Sequence, residues 1–206
     1  MSAVAEHYFY EPRQGHGLAH DPIASIVGPR PIAWISTRSP DGRTNLAPYS
    51  FFGIFNYTPP IIGFASDGYK DTLRNALAQG EFVVNVVTEA LAEAMNLTSG
   101  SSLESEFTMA GLESAPAQRV DCPRVLASPV ALECRVVQHL PLRDSAGELA
   151  GSVLLLAEVV GVSIDAALVA GGRFSWGDVR TVVRGGGPAD YHRIGRDNLL
   201  QMQRPA

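Results

Sequence analysis

The sequence predicts a mainly β chain with short helices, an antiparallel barrel with its helices on the outside. Three observations carry that reading. Apolar and β-branched runs follow one another across turn signals, with no crossover helix between most of them. Helical periodicity is confined to two short stretches in the first half. The last long pair, Pro129 to Leu140 and Ser152 to Ile164, reads as two β runs joined across Arg143–Glu148, a hairpin. Direct strand-to-strand succession excludes a doubly wound parallel sheet.

The elements follow in order. The first 28 residues, with Pro12, Gly15, Gly17 and Pro22, read as an irregular arm. Pro31–Thr37 is β-branched and aromatic, a strand. Ser39-Pro40-Asp41-Gly42 suits a type I turn, with proline second and glycine fourth, so Thr44–Ser50 returns as a hairpin partner. Phe51–Tyr57 continues that strand or forms a third, and Pro59-Pro60 breaks the chain before the short strand Ile61–Ser66. Leu73, Ala76 and Leu77 are spaced for a helix over Asp71–Gln79, with Asp71 as its cap and Gly80 as its stop. Phe82–Val87 is a buried strand, and Thr88–Leu97 a second helix with a capping signal at Thr88. The count is about six strands.

Composition narrows the function classes. The chain has 206 residues, 46% hydrophobic and 18% charged, enough to bury a core as one domain over 1–206. A net charge of -5 without Lys/Arg blocks argues against nucleic-acid binding by charge neutralisation. The N-terminus lacks a basic n-region and an apolar h-region, and no apolar run approaches the roughly 18 residues of a spanning helix, so no signal peptide or membrane span is expected. Cys122 and Cys134 are too few for a disulfide framework and lack metal spacing, which favours a reducing, cytoplasmic setting. No metal site is expected. His16 and His20 are four apart, but Gly15, Gly17 and Pro22 oppose a helix there. No serine lies on a nucleophile elbow, and Gly185-Gly186-Gly187 lacks the context of a phosphate loop, reading as a flexible turn.

Three polar clusters stand where a barrel would otherwise be plain. Ser36-Thr37 ends a strand. Asn45-Leu46-Ala47-Pro48-Tyr49-Ser50 is a strand with an internal proline, which removes a ladder donor and leaves backbone groups free to meet a flat heterocycle. Lys70-Asp71-Thr72 with Arg74 opens a helix, where free amides, the dipole, an ammonium, a hydroxyl and a guanidinium together suit a terminal phosphate. Each cluster taken singly also fits a plain role: a strand end, edge-strand polarity, a solvated helix cap. Asp71 by its charge opposes a phosphate unless its carboxylate is turned aside. The case for a ligand rests on the three together.

Pro29-Arg30-Pro31-Ile32-Ala33-Trp34-Ile35-Ser36-Thr37, Asp41-Gly42, Asn45 through Phe52, Pro59-Pro60, Lys70 through Asn75, Glu81 through Asn85 and Glu89-Ala90-Leu91 closely resemble the flavin reductase-like family in order and spacing. The resemblance implies an antiparallel Greek-key split β-barrel that binds FMN, a homodimer with a flavin near each subunit interface, and hydride transfer from NADH or NADPH to flavin, with a monooxygenase as a possible partner. It assigns Ser36 and Thr37 to the ribityl or phosphate end, Asn45, Ala47, Pro48 and Ser50 to the isoalloxazine ring, and Lys70, Thr72 and Arg74 to the phosphate, with Asp71 of the same cluster counted among the cofactor-binding residues. Tyr191-His192-Arg193-Ile194-Gly195 resembles the family's C-terminal segment, so Tyr191 and His192 are candidates to cover the site. Asn85 matches a family position and reads as structural. No side-chain acid or base is required, because the flavin carries the chemistry. Two alternatives remain open: a split barrel acting on another acceptor, as pyridoxamine-phosphate oxidases do, and a flavin- or haem-binding module without turnover.

Overall fold

A computed structural model describes residues 6–100 and 104–205. After the arm, which holds only the 3₁₀ turn Pro12–Gln14 and the helix α1 (Ile23–Ile26), strands follow closely: β1 (Arg30–Pro31), β2 (Ala33–Arg38), β3 (Thr44–Tyr49), β4 (Phe52–Tyr57) and β5 (Pro60–Asp67). Helix α2 (Asp71–Gln79) leads into β6 (Glu81–Asn85). The helix expected over Thr88–Leu97 is two pieces, a 3₁₀ turn at Glu89–Leu91 and α3 (Ala92–Leu97). Thr88 stands at the N-cap position but makes no side-chain cap. Helix α4 (Glu106–Met109) and the short strands β7 (Ser114–Pro116) and β8 (Pro123–Val125) precede the long strands β9 (Val130–Arg143) and β10 (Leu149–Ile164). The minor strands β11 (Val169–Ala170) and β12 (Arg173–Phe174) lead to β13 (Thr181–Arg184) and β14 (Tyr191–Ile194).

Seven strands form one antiparallel sheet in the order β3-β2-β6-β9-β10-β5-β4. The order ends at β3 and β4, so the barrel is open between them. Both expected hairpins form. In the first, the Gly42 N–H donates to Ser39 O at 2.9 Å, and Gly42 has φ 87°, a conformation that glycine adopts without steric cost. In the second, the Asp144 carboxylate accepts from Ala146 N at 2.9 Å and Glu148 N at 3.0 Å, closing the β9–β10 turn.

The core lies inside the curl. Tyr49, Phe64 and Phe82 stack in sequence, with ring centroids 4.8 and 5.5 Å apart, and Leu73 and Ala76 of α2 close one end. A second cluster packs Trp34, Leu46, Val87, Met95, Phe107 and Val125 beneath α3 and α4, and the Trp34 indole donates to Thr98 Oγ1 at 2.9 Å. Helix α2 stops at Gly80, which takes the left-handed conformation (φ 74°) and donates to Ala76 O. Its start differs from expectation. Lys70 is the N-cap residue, and Asp71 lies inside the first turn with its carboxylate bonded to Arg74. A lysine cannot cap with a side-chain acceptor, so the first turn has no side-chain cap.

The glycine triad is a packing seat. A Cβ on Gly186 would fall 2.1 Å from Ser25 Cα, so α1 rests directly on the bare backbone there. No helix among the described residues is long and apolar enough to cross a membrane.

Candidate functional site

Helix α2 crosses the β2–β3 hairpin where Thr37 and Asn45 are register partners. Thr72 and Asn75 are three apart, so both face the hairpin. Two side-chain bonds result. Asn45 Nδ2 donates to Thr72 Oγ1 at 2.8 Å, and Asn75 Nδ2 donates to Thr37 Oγ1 at 3.1 Å. The two threonines are 0% and 1% exposed, whereas both asparagines are half-buried. The hydroxyls therefore lie beneath, and the amides form the surface.

That surface borders a cleft of about 400 Å³, lined by Arg43, Asn45, Asp71, Asn75, Ser105 and Glu106 among others. The far wall is α4 and the residue before it. Thr44 Oγ1 and Ser105 Oγ are 3.1 Å apart, and the Leu46 N–H donates to Glu106 Oε2 at 3.2 Å. Beyond Asn45, the edge strand β3 carries Ala47 and Pro48, half-buried, with Ser50 just past its end.

The charges are mostly committed. Arg74 bonds to Tyr69 O at 2.5 Å and to the Asp71 carboxylate, which turns that carboxylate aside toward a cation. Arg43 pairs with Asp41 at 2.8 Å. Lys70 is exposed and, among the described residues, its ammonium has no partner. Burial pushes the Tyr49 phenol up, against the opposing effect of the Thr72 and Ser66 hydroxyls beside it.

Besides Thr37 and Thr72, which lie beneath the cleft surface, Ser36, Tyr191 and His192 stand away from it. Successive strand residues face opposite sides, so Ser36 points away from Thr37. Its hydroxyl donates to Pro123 O at 2.5 Å and accepts from Asn85 Nδ2 at 3.1 Å. Asn85 also donates to Trp34 O at 3.0 Å and accepts from Val125 N at 2.8 Å, the structural role expected of it. Tyr191 and His192 lie on β14, in the separate sheet β1-β13-β14, with the Arg184 guanidinium 4.8 Å over the Tyr191 ring. Neither lines the cleft. Sequence reasoning missed Asn75, Ser105 and Glu106 as cleft residues. Asn75 ends the motif block Lys70 through Asn75, and its three-residue spacing from Thr72 is the signal that would have put it on the same helix face.

The flavin reductase like domain model matches residues 28–177. An uncharacterized protein of Deinococcus radiodurans is 40% identical over 152 residues, 68% of this chain and 63% of its own length, so the match spans just under two thirds of that relative. Among solved structures, the Pseudomonas fluorescens 2-nitrobenzoate 2-nitroreductase NbaA is 31% identical with a TM-score of 0.78, covering 89% of this chain and 88% of its own. Nitrilotriacetate monooxygenase component B from Bacillus cereus is 27% identical with a TM-score of 0.80, covering 97% and 100%. A Shewanella frigidimarina protein with a split barrel domain shares the fold, at 21% identity and a TM-score of 0.78, covering 98% and 100%. The open antiparallel barrel is thus a split barrel, and the chain belongs to the flavin reductase-like family.

Proposed function

We propose that the chain binds FMN at the α2–β3 cleft and transfers hydride from NADH or NADPH to the flavin. The observation that carries the reading is Lys70. A cation without a partner among the described residues stands at the start of a nine-residue helix whose first turn has no side-chain cap. That arrangement fits a phosphate, and Arg74 holds the Asp71 carboxylate that would oppose one. Ala47, Pro48 and Ser50 border the isoalloxazine ring, and the proline leaves the strand edge without one donor. Thr37 and Thr72 act from beneath, holding the Asn45 and Asn75 amides in place. Ser36 serves the fold behind the site.

When bound, FMN supplies the redox chemistry between a reduced nicotinamide and an acceptor. The chain's own residues bind and orient. Lys70 neutralises the anionic end, and the β3 edge fixes one face of the ring. The Asn45 amide, held by Thr72, would face the ring.

Phe51, Ile54, Phe55 and Tyr57, on and beside the edge strand β4, are exposed apolar side chains, Tyr57 at 83%. We assign them to a homodimer contact. The similarity to a monooxygenase component B supports an oxygenase as the recipient of reduced flavin. The similarity to NbaA supports a second reading, in which a nitroaromatic is the acceptor.

The test is an anaerobic absorption spectrum of the protein with added FMN, before and after NADH or NADPH. Bleaching of the flavin band supports the reductase. A bound flavin that neither nicotinamide bleaches overturns it in favour of a binding module. Nicotinamide oxidation that requires 2-nitrobenzoate selects the second reading.

A further inference from the structure

We propose that the cavity between the turn before β13 and the turn after β14 is a binding site for an aromatic carboxylate. The proposal does not depend on the FMN reading, because this cavity shares no lining residue with the α2–β3 cleft.

The strand pair builds the cavity. Thr181 and Ile194 are register partners at one end of β13 and β14. In the turn before β13, the Val179 N–H donates to Trp176 O at 2.9 Å, and in the turn after β14 the Gly195 N–H donates to Asn198 Oδ1 at 2.9 Å. These two turns and the following Leu199-Leu200 border about 800 Å³, against about 400 Å³ for the α2–β3 cleft. That volume lies within the range of small-molecule sites. Most of the lining lies past residue 177, where the match to the domain model ends.

The lining selects the ligand by shape and by charge. Trp176 and Val179, half-buried, and Ile194, Leu199 and Leu200, exposed, make apolar walls. The Phe174 ring stands edge-on to the Trp176 indole with centroids 5.0 Å apart, which holds the indole as a flat wall. Arg196 is the single ionisable side chain of the lining, and no carboxylate stands there, in a chain whose net charge is -5. Among the described residues the Arg196 guanidinium has no partner, and neither has the Trp176 indole N–H. The neighbouring hollow holds Asp178, Arg180 and Asp197 beside Arg196. Asp197 pairs there with Arg180 at 3.7 Å, and no ion pair joins either aspartate to Arg196. An open guanidinium takes a carboxylate through two parallel bonds, and the flat walls take an aromatic body. A phosphate monoester carries nearly two charges and would lack a second free cation, because Asp197 holds Arg180.

Calorimetric titration of the full chain with 2-naphthoate and with its neutral amide, 2-naphthamide, tests this. The carboxylate is expected to bind about tenfold tighter than the amide, the scale of a charge-assisted hydrogen bond. Arg196 is exposed, so Arg196→Ala is expected to fold normally, to remove that preference and to leave the amide within about twofold. Trp176→Ala is expected to weaken acid and amide alike by about fivefold, whereas Trp176→Phe keeps an aromatic wall and stays within about twofold. Equal binding of acid and amide by the wild type overturns the proposal, as does a preference that survives Arg196→Ala. Failure to take up either probe, or probe binding that Trp176→Ala leaves unchanged, overturns it as well. Adenosine monophosphate bound tighter than 2-naphthoate, and lost with Arg196→Ala, would make the cavity a nucleotide site instead. Protein that takes up 2-naphthoate but no FMN fails only the FMN reading.

Discussion

The Asn45 amide donates to the Thr72 hydroxyl across 2.8 Å and so ties strand β3 to the first turn of α2. The bond is partly buried and joins residues 27 apart in the chain. The cleft wall that faces α4 depends on it. Asn45→Ala and Thr72→Val should each destabilise the fold by about 1 kcal/mol, with a coupling energy of roughly 0.5–1.5 kcal/mol in a double-mutant cycle. Urea unfolding measures it, and additive losses would show that the two groups act independently.

Lys70 is exposed, so its removal should leave the fold intact. Lys70→Ala should weaken FMN binding by roughly 1–3 kcal/mol, the scale of a charge-assisted hydrogen bond, and barely affect riboflavin. Equal losses for both ligands would remove Lys70 from the phosphate site.

Asn85 uses both ends of its amide inside the protein, tying β2 to β8 through Trp34, Ser36 and Val125. Asn85→Leu leaves the Val125 N–H and the Trp34 carbonyl without that partner. It should cost about 2–4 kcal/mol in denaturant unfolding. A loss below about 1 kcal/mol would mean that the network re-forms around the leucine.

Burial raises the Cys122 thiol to about 11. In the unfolded chain the thiol ionises near its ordinary value of 9.0, so between these limits the folded state holds more protons. Stability is therefore full below pH 9 and falls as pH rises toward 11, by at most about 1.4 kcal/mol per pH unit for this group. Cys122→Ala should flatten that part of the stability curve. An unchanged slope would assign the decline to other groups.

Gly186→Ala tests the seat of α1. The added Cβ would meet the Ser25 backbone and side chain at about 2 Å, so the helix must lift. Limited proteolysis should then cut near residues 23–28 faster than in the wild type. An unchanged cleavage rate would show that the turn shifts instead.

The sequence by itself determined the hairpins, the strand class and the motif block. Turn residues such as Pro40 and Gly42 act on their own few bonds, and β-branched runs declare themselves locally. It also placed Thr37, Asn45 and Thr72 in one motif block, because their order and spacing resemble the family pattern. Tertiary structure alone decided how they meet. Strand alternation turned Ser36 inward, away from its neighbour. The crossing of α2 over the hairpin buried both threonines and brought Asn75 to the surface. The same packing set Ser25 on Gly186 and carried Tyr191 and His192 to another sheet. The reason is physical: local conformational preference is written in neighbouring residues, whereas side-chain partnership depends on contacts between segments that the chain brings together only on folding.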